Sequence, residues 1–151
     1  MTFIKKTKNK GFIETKNMPA SMMKITFPGG QKVEAHHNGL KILTDQTKQD
    51  GGEGKAPSPF DLFIASIGTC TGYYVLKFCE QRKIPTKDIK LYLHDEWNPL
   101  VRRITKIKIT IDLPSTFPKK YIEAIIRVAE QCSVKRHLTA PPEITIETKT
   151  D

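Results

Sequence analysis

Up to residue 44 the apolar positions come in short runs with the period of a β-strand: FIKKTKNKGFIE, MMKITF, QKVEAHH and LKILT. Pro28-Gly29-Gly30 and Asn38-Gly39 interrupt them, and Asn-Gly between two such runs is a strong two-residue hairpin signal. Residues 1–44 therefore read as an antiparallel β-meander. Residues 45–56, DQTKQDGGEGKA, are polar and glycine-rich and read as a mobile surface loop. The pattern then changes. Residues 57–83 open with Ser58 as N-cap, Pro59 at the first helical position and Asp61 placed for a capping-box pair. Beyond that start, apolar residues fall on every side at helical spacing, from Leu62 to Phe78. A helix apolar all round is a buried one, so this segment is expected to be a central core helix. Residues 88–151 read as strand, strand, helix, strand: DIKLYLHDEW, ITKIKITIDL, FPKKYIEAIIRVAEQC and EITIET.

Strands and helices in this order make an α+β protein with antiparallel sheets. At 151 residues the chain suits a single domain spanning residues 1–151. The longest unbroken apolar run is well short of the ~20 residues that span a bilayer, so no membrane segment is expected. The first residues, MTFIKKTKNKGF, have charge but no apolar stretch typical of a secretory leader, and a cytoplasmic location is the expectation.

The formal net charge is +9. It is spread over nearly every segment, and in VRRITKIKITID the isoleucines 107, 109 and 111 share one strand face while Lys106 and Lys108 share the other. That is the pattern of a solvated face. With no recognition helix, zinc pattern or aromatic-basic platform, specific nucleic-acid binding is not expected. His36 and His37 are neighbours on a strand and point to opposite faces, so they do not form a metal site, and no metal or other cofactor is expected. Trp97, the single tryptophan, is expected in the core or an interface.

The middle of the central helix reads Gly-Thr-Cys-Thr-Gly. Glycine inside a helix costs ~1 kcal/mol against alanine, so Gly68 and Gly72, four apart on one face, point to close packing by another backbone. A second copy of the helix, or the helix at 118–131, would fit there. Cys70 lies between them. Cys79 is nine positions on, half a turn out of phase and roughly 13 Å away along the axis, so those two cannot pair in an intact helix. Cys79 reads as an apolar filler. Cys70 and Cys132 are then either a redox pair or packing residues. Cys132 is expected to end the helix at 118–131, with Arg136 and His137 within about a turn, where cations would favour a thiolate.

The segment APSPFDLFIASIGTCTGYYVLKFCEQRKIP closely resembles the central helix motif of the superfamily of osmotically inducible protein C (OsmC) and organic hydroperoxide resistance (Ohr) proteins. CSVKRHL resembles the segment that carries the second cysteine of that superfamily. The resemblance implies the OsmC-like fold, an interlocked homodimer with central helices packed together, and active sites at the interface. It also implies a thiol peroxidase acting on organic hydroperoxides or hydrogen peroxide in oxidative-stress defence. Cys70 would form a sulfenic acid and Cys132 would resolve it to a disulfide, which a small dithiol or a lipoyl group reduces.

Two positions depart from the peroxidase pattern. Those members hold the thiolate beside an arginine of the N-terminal strands and a glutamate ten residues before the first cysteine. Here no arginine precedes Arg82, and the tenth position back is Phe60; Asp61 is adjacent but has a capping role. Arg136 is a candidate activating cation, as are Arg127, His36, His37 and lysines of the first strands, and Asp61 is a candidate acidic partner. The alternative is a non-catalytic OsmC-like protein that binds a small apolar ligand at the dimer interface.

Overall fold

The computed structural model describes residues 22–150. The expected strand before residue 22 lies outside them. The chain divides into two compact units, Met1–Ala56 and Pro57–Asp151.

The first unit is a three-stranded antiparallel sheet of β1 (Lys24–Gly29), β2 (Lys32–His37) and β3 (Leu40–Thr44), in that order. Asn38 and Gly39 make the tight β2–β3 turn with φ of 49° and 77°, the positive pair that a two-residue hairpin requires. Ile25, Phe27, Leu40 and Ile42 of this sheet are exposed. The following loop differs from the mobile segment expected. The Asp45 side chain is buried and accepts N–H groups from Gln46, Glu53 and Lys55 at 2.9, 3.2 and 3.1 Å. A Cβ on Gly52 would come within 2.1 Å of the Gln46 carbonyl oxygen, so the loop closes this tightly only around a glycine.

The second unit is built on α1 (Pro59–Gln81). Ser58 accepts the Asp61 N–H, and the Asp61 carboxylate accepts the Ser58 N–H, which is the capping box read from the sequence. The helix stops two residues short of the expected Lys83, where Lys83 takes a left-handed φ of 54° ahead of Pro85. A hairpin follows, of β4 (Lys90–Asn98) and β5 (Arg103–Asp112), then a 3-10 turn and α2 (Ile122–Ala129) and α3 (Ser133–Thr139).

The core joins Val75, Phe78 and Cys79 of α1 to Phe117, Ile125 and Ala129. Each large side chain buried there contributes ~1.5–3 kcal/mol. In this chain α1 is one-sided, in contrast to the all-round burial expected. Ile67, Thr71, Val75, Phe78 and Cys79 are covered, while Phe60, Tyr73 and Leu76 are exposed, because one hairpin and two short helices cover only one face. Gly68 has its close neighbour, since a Cβ there would lie 3.0 Å from Cδ1 of Leu93 on β4, whereas a Cβ on Gly72 would meet nothing within 4 Å.

Three further expectations are corrected. The helix at 118–131 is broken: α2 ends at Ala129 and a separate helix starts at Ser133. The segment EITIET pairs with no strand among the described residues and is not assigned as one, with Ile144 84% and Ile146 92% exposed. Trp97 is 60% exposed at a bulge between Glu96 and Trp97, so of its two expected places, core or interface, the core is set aside.

Candidate functional site

The break between α2 and α3 creates the site. A continuous helix through residue 132 would have used the backbone N–H groups of residues 133–135 internally. Because α3 begins anew, its first-turn N–H groups lack intrahelical partners. Cys132 is the N-cap of α3 and its sulfur accepts the Lys135 N–H at 3.4 Å. It is fully buried, and its sulfur lies 4.0 Å from the Ile67 carbonyl oxygen on α1.

Cys70, midway along α1 and half-buried, faces this start of α3. Its sulfur is 3.4 Å from the Ser133 hydroxyl oxygen. Burial alone would raise the Cys70 pKa. It is outweighed by the groups at the start of α3, the Ser133 hydroxyl first and then the Val134 N–H, the Cys132 thiol and the Ser133 N–H, so the thiol sits below its ordinary value. The result is a thiol disposed to ionise, 3.4 Å from the hydroxyl of the residue that follows a second thiol in the chain.

Of the residues picked out by sequence, Cys70 and Cys132 meet here. Arg136 is on α3 but exposed, and among the described residues the groups that lower the Cys70 pKa are neutral donors. Arg127 is exposed and faces Glu123 at 3.6 Å on α2. His36, in the first unit, is 2.7 Å from a Glu34 carboxylate oxygen. Asp61 serves the α1 cap, and the Ser58 hydroxyl and N–H hold its carboxyl below the usual range. Cys79 is buried in the core, which pushes its pKa up. Among the described residues, no three His, Cys, Asp or Glu side chains cluster as metal ligands.

Ser133 and Val134 were missed by sequence reasoning. The available signal was the polar interruption Glu130-Gln131-Cys132-Ser133 inside an apolar-periodic stretch, a place where a helix can end and restart. Cysteine is not a strong N-cap residue, so the signal was faint.

Residues 52–147, including both thiols, match the OsmC-like protein family. The chain belongs to that family. Among solved structures it is similar to a Psychrobacter arcticus protein named for osmotic stress induction and a detoxification response (TM-score 0.66, 21% identity, covering 82% of this chain and 90% of that one). It is likewise similar to an OsmC-like protein of Mycoplasma pneumoniae (0.64, 13%, 82% and 89%). A third is an organic hydroperoxide resistance protein OsmC of Legionella pneumophila (0.50, 22%, 82% and 91%). At these identities the structures establish a shared α+β fold. No curated protein matches the chain by sequence.

Proposed function

We propose that this protein is a thiol peroxidase that reduces organic hydroperoxides or hydrogen peroxide in oxidative-stress defence. The observation that carries the reading is the placement of Cys70 against the start of α3, 3.4 Å from the Ser133 hydroxyl next to Cys132, where its pKa is depressed. The Cys70 thiolate attacks one oxygen of the O–O bond, the bond breaks, and the other oxygen leaves as alcohol or water after taking a proton. Cys70 is now a sulfenic acid. The Cys132 thiol attacks its sulfur, water departs, and a disulfide forms. A dithiol or lipoyl reductant returns both thiols. Buried Cys132 has access to Cys70 but little to bulk peroxide, as suits a resolving residue. The chemistry uses no cofactor, and the reducing cytoplasm is the setting it suits. The protein acts as a homodimer, in which the exposed apolar side of α1 finds its cover.

Neutral donors do here what an arginine does in the peroxidase members, and this predicts a slower enzyme. Thiol alkylation against pH, with peptide mapping after substoichiometric organic peroxide, tests the reading. Cys70 should be alkylated at a lower pH than a free thiol and should link to Cys132. Cys70→Ser should abolish peroxide consumption, and Cys132→Ser should leave a sulfenic acid on Cys70. An ordinary thiol pKa with no Cys70–Cys132 disulfide would sink the proposal.

The alternative is an apolar-ligand protein without turnover. It draws on an apolar cavity of about 580 Å³ in the second unit, bounded by Ile67 and Thr71 of α1 and by residues of β5 and α2.

A further inference from the structure

The β4–β5 hairpin is anchored at one end only. At its base Leu91 and Ile111 pack against the core, and Leu93 meets Gly68 of α1. Trp97 lies ~20 Å further along β4 than Leu91 and is among neither the core residues nor those packed on them. There Trp97 is 60%, Leu100 91% and Val101 52% exposed. The turn that carries them is held in shape. The Asn98 side-chain oxygen accepts the N–H groups of Leu100 and Val101 at 3.0 and 3.4 Å, and Arg102 takes a left-handed φ of 49°. Large apolar side chains are thereby kept in water at a built tip, which marks an interaction site better than scattered exposure does.

The charge around that tip has one sign. Residues 97–108 contain Arg102, Arg103, Lys106 and Lys108 and neither Asp nor Glu. Lys106 is matched by Glu96 across the strands at 2.8 Å, and Asp95 stands opposite Ile107. Arg102 and Arg103 are exposed and pair with no carboxylate among the described residues. A second copy of the chain is a poor match for them, because it has the same net charge of +9 and a two-fold contact between tips would bring like arginines together. An anionic lipid surface offers both of the needed partners. Its acyl boundary accepts leucine and valine, its headgroup level is where tryptophan settles, and its phosphates attract arginine.

We propose that the tip of the β4–β5 hairpin, residues 97–103, docks on bilayers that carry anionic lipids. Leu100 and Val101 enter the acyl boundary, Trp97 lies at the headgroup level, and Arg102 and Arg103 meet lipid phosphates. The contact is peripheral, since a turn of this length reaches the boundary without spanning the bilayer. It is reversible and weakened by salt, as attraction between surface charges is. The inference depends on neither the peroxide chemistry nor the homodimer.

Trp97 is the single tryptophan, so its fluorescence reads the tip directly. The full chain is titrated with vesicles of equal parts phosphatidylglycerol and phosphatidylcholine, and with phosphatidylcholine vesicles alone. With the mixed vesicles the Trp97 emission should shift to the blue and be quenched by lipids brominated on their acyl chains. With phosphatidylcholine alone both changes should be small. Arg102→Asn retains a residue that tolerates the left-handed turn. Combined with Arg103→Gln it should lower the apparent affinity for mixed vesicles about 30-fold, the loss of two basic contacts with an anionic surface. Leu100→Asp alters a side chain that lies clear of the fold and should abolish the bromine quenching. The proposal falls if the emission ignores the mixed vesicles, responds equally to both kinds, or is already blue and shielded from aqueous acrylamide without lipid, which would bury the tip in a protein contact. It falls too if vesicles bind while Trp97 stays unquenched, or if either variant binds as the parent does. Peroxide-driven disulfide formation, followed without vesicles, tests the peroxidase reading separately and should be the same in the parent and both variants.

Discussion

The Cys70 sulfur lies 3.4 Å from the Ser133 hydroxyl oxygen, a contact between residues 63 positions apart. It exists because α3 starts one residue after Cys132. Ser133→Ala removes a hydroxyl that favours the Cys70 thiolate, so the Cys70 pKa should rise. At neutral pH its alkylation rate should fall about five-fold, the effect of one hydrogen bond of ~1 kcal/mol. Alkylation rate against pH measures this. An unchanged profile would leave the backbone N–H groups and the Cys132 thiol as the groups that lower the Cys70 pKa.

Cys79 should be chemically silent and structurally costly to alter. It is fully buried in the core, and burial raises its pKa. Cys79→Ser places a hydroxyl among apolar side chains and should cost about 1–3 kcal/mol in denaturant unfolding. The yield of Cys70–Cys132 disulfide from the folded variant should match that of the parent protein.

The two helix glycines should separate a contact within the chain from one between chains. Gly68→Ala brings a Cβ against Leu93 and should lower stability whatever the oligomeric state. A Cβ on Gly72 meets nothing within 4 Å among the described residues, so Gly72→Leu should leave the fold intact and weaken self-association if the central helices pack together. Chemical denaturation and light scattering read the two effects. A Gly72→Leu protein as dimeric as the parent would remove this part of α1 from the interface.

Acid should loosen the loop after β3. Its backbone N–H groups, from Lys55 first, hold the Asp45 carboxyl below the ordinary value of 3.8, although burial opposes them. A carboxyl depressed in the folded state contributes stability that is complete above the unfolded pKa and is lost as pH falls through the folded one. Hydrogen exchange at residues 46–55 should therefore show no opening from pH 7 to about 5, and opening well below pH 4. In Asp45→Asn, an amide N–H₂ must face a backbone N–H donor, and the loop should be open at neutral pH as well.

Local rules acting over a few residues were legible in the chain. Asn38-Gly39 specified its hairpin because positive φ is cheap there, and Ser58-Pro59-Phe60-Asp61 specified the start of α1 because the cap is made by neighbours. Period-two alternation gave β4 and β5, and the residues around Cys70 gave the family. Even the exclusion of a Cys70–Cys79 pair needed only helix geometry.

What depended on distant partners was not legible. Whether α1 is covered on all sides is decided by what surrounds it, and its apolar content could not say that the hairpin and short helices of its own unit cover one face only. EITIET has the strand pattern, but a strand is made by its neighbour's hydrogen bonds, and the described residues provide none. The activation of Cys70 was sought in a cation because charge is visible in a sequence. Among the described residues, a hydroxyl, a second thiol and two backbone N–H groups at a helix start lower the Cys70 pKa. Every residue but proline has a backbone N–H, and only the fold decides which are left free and where they point.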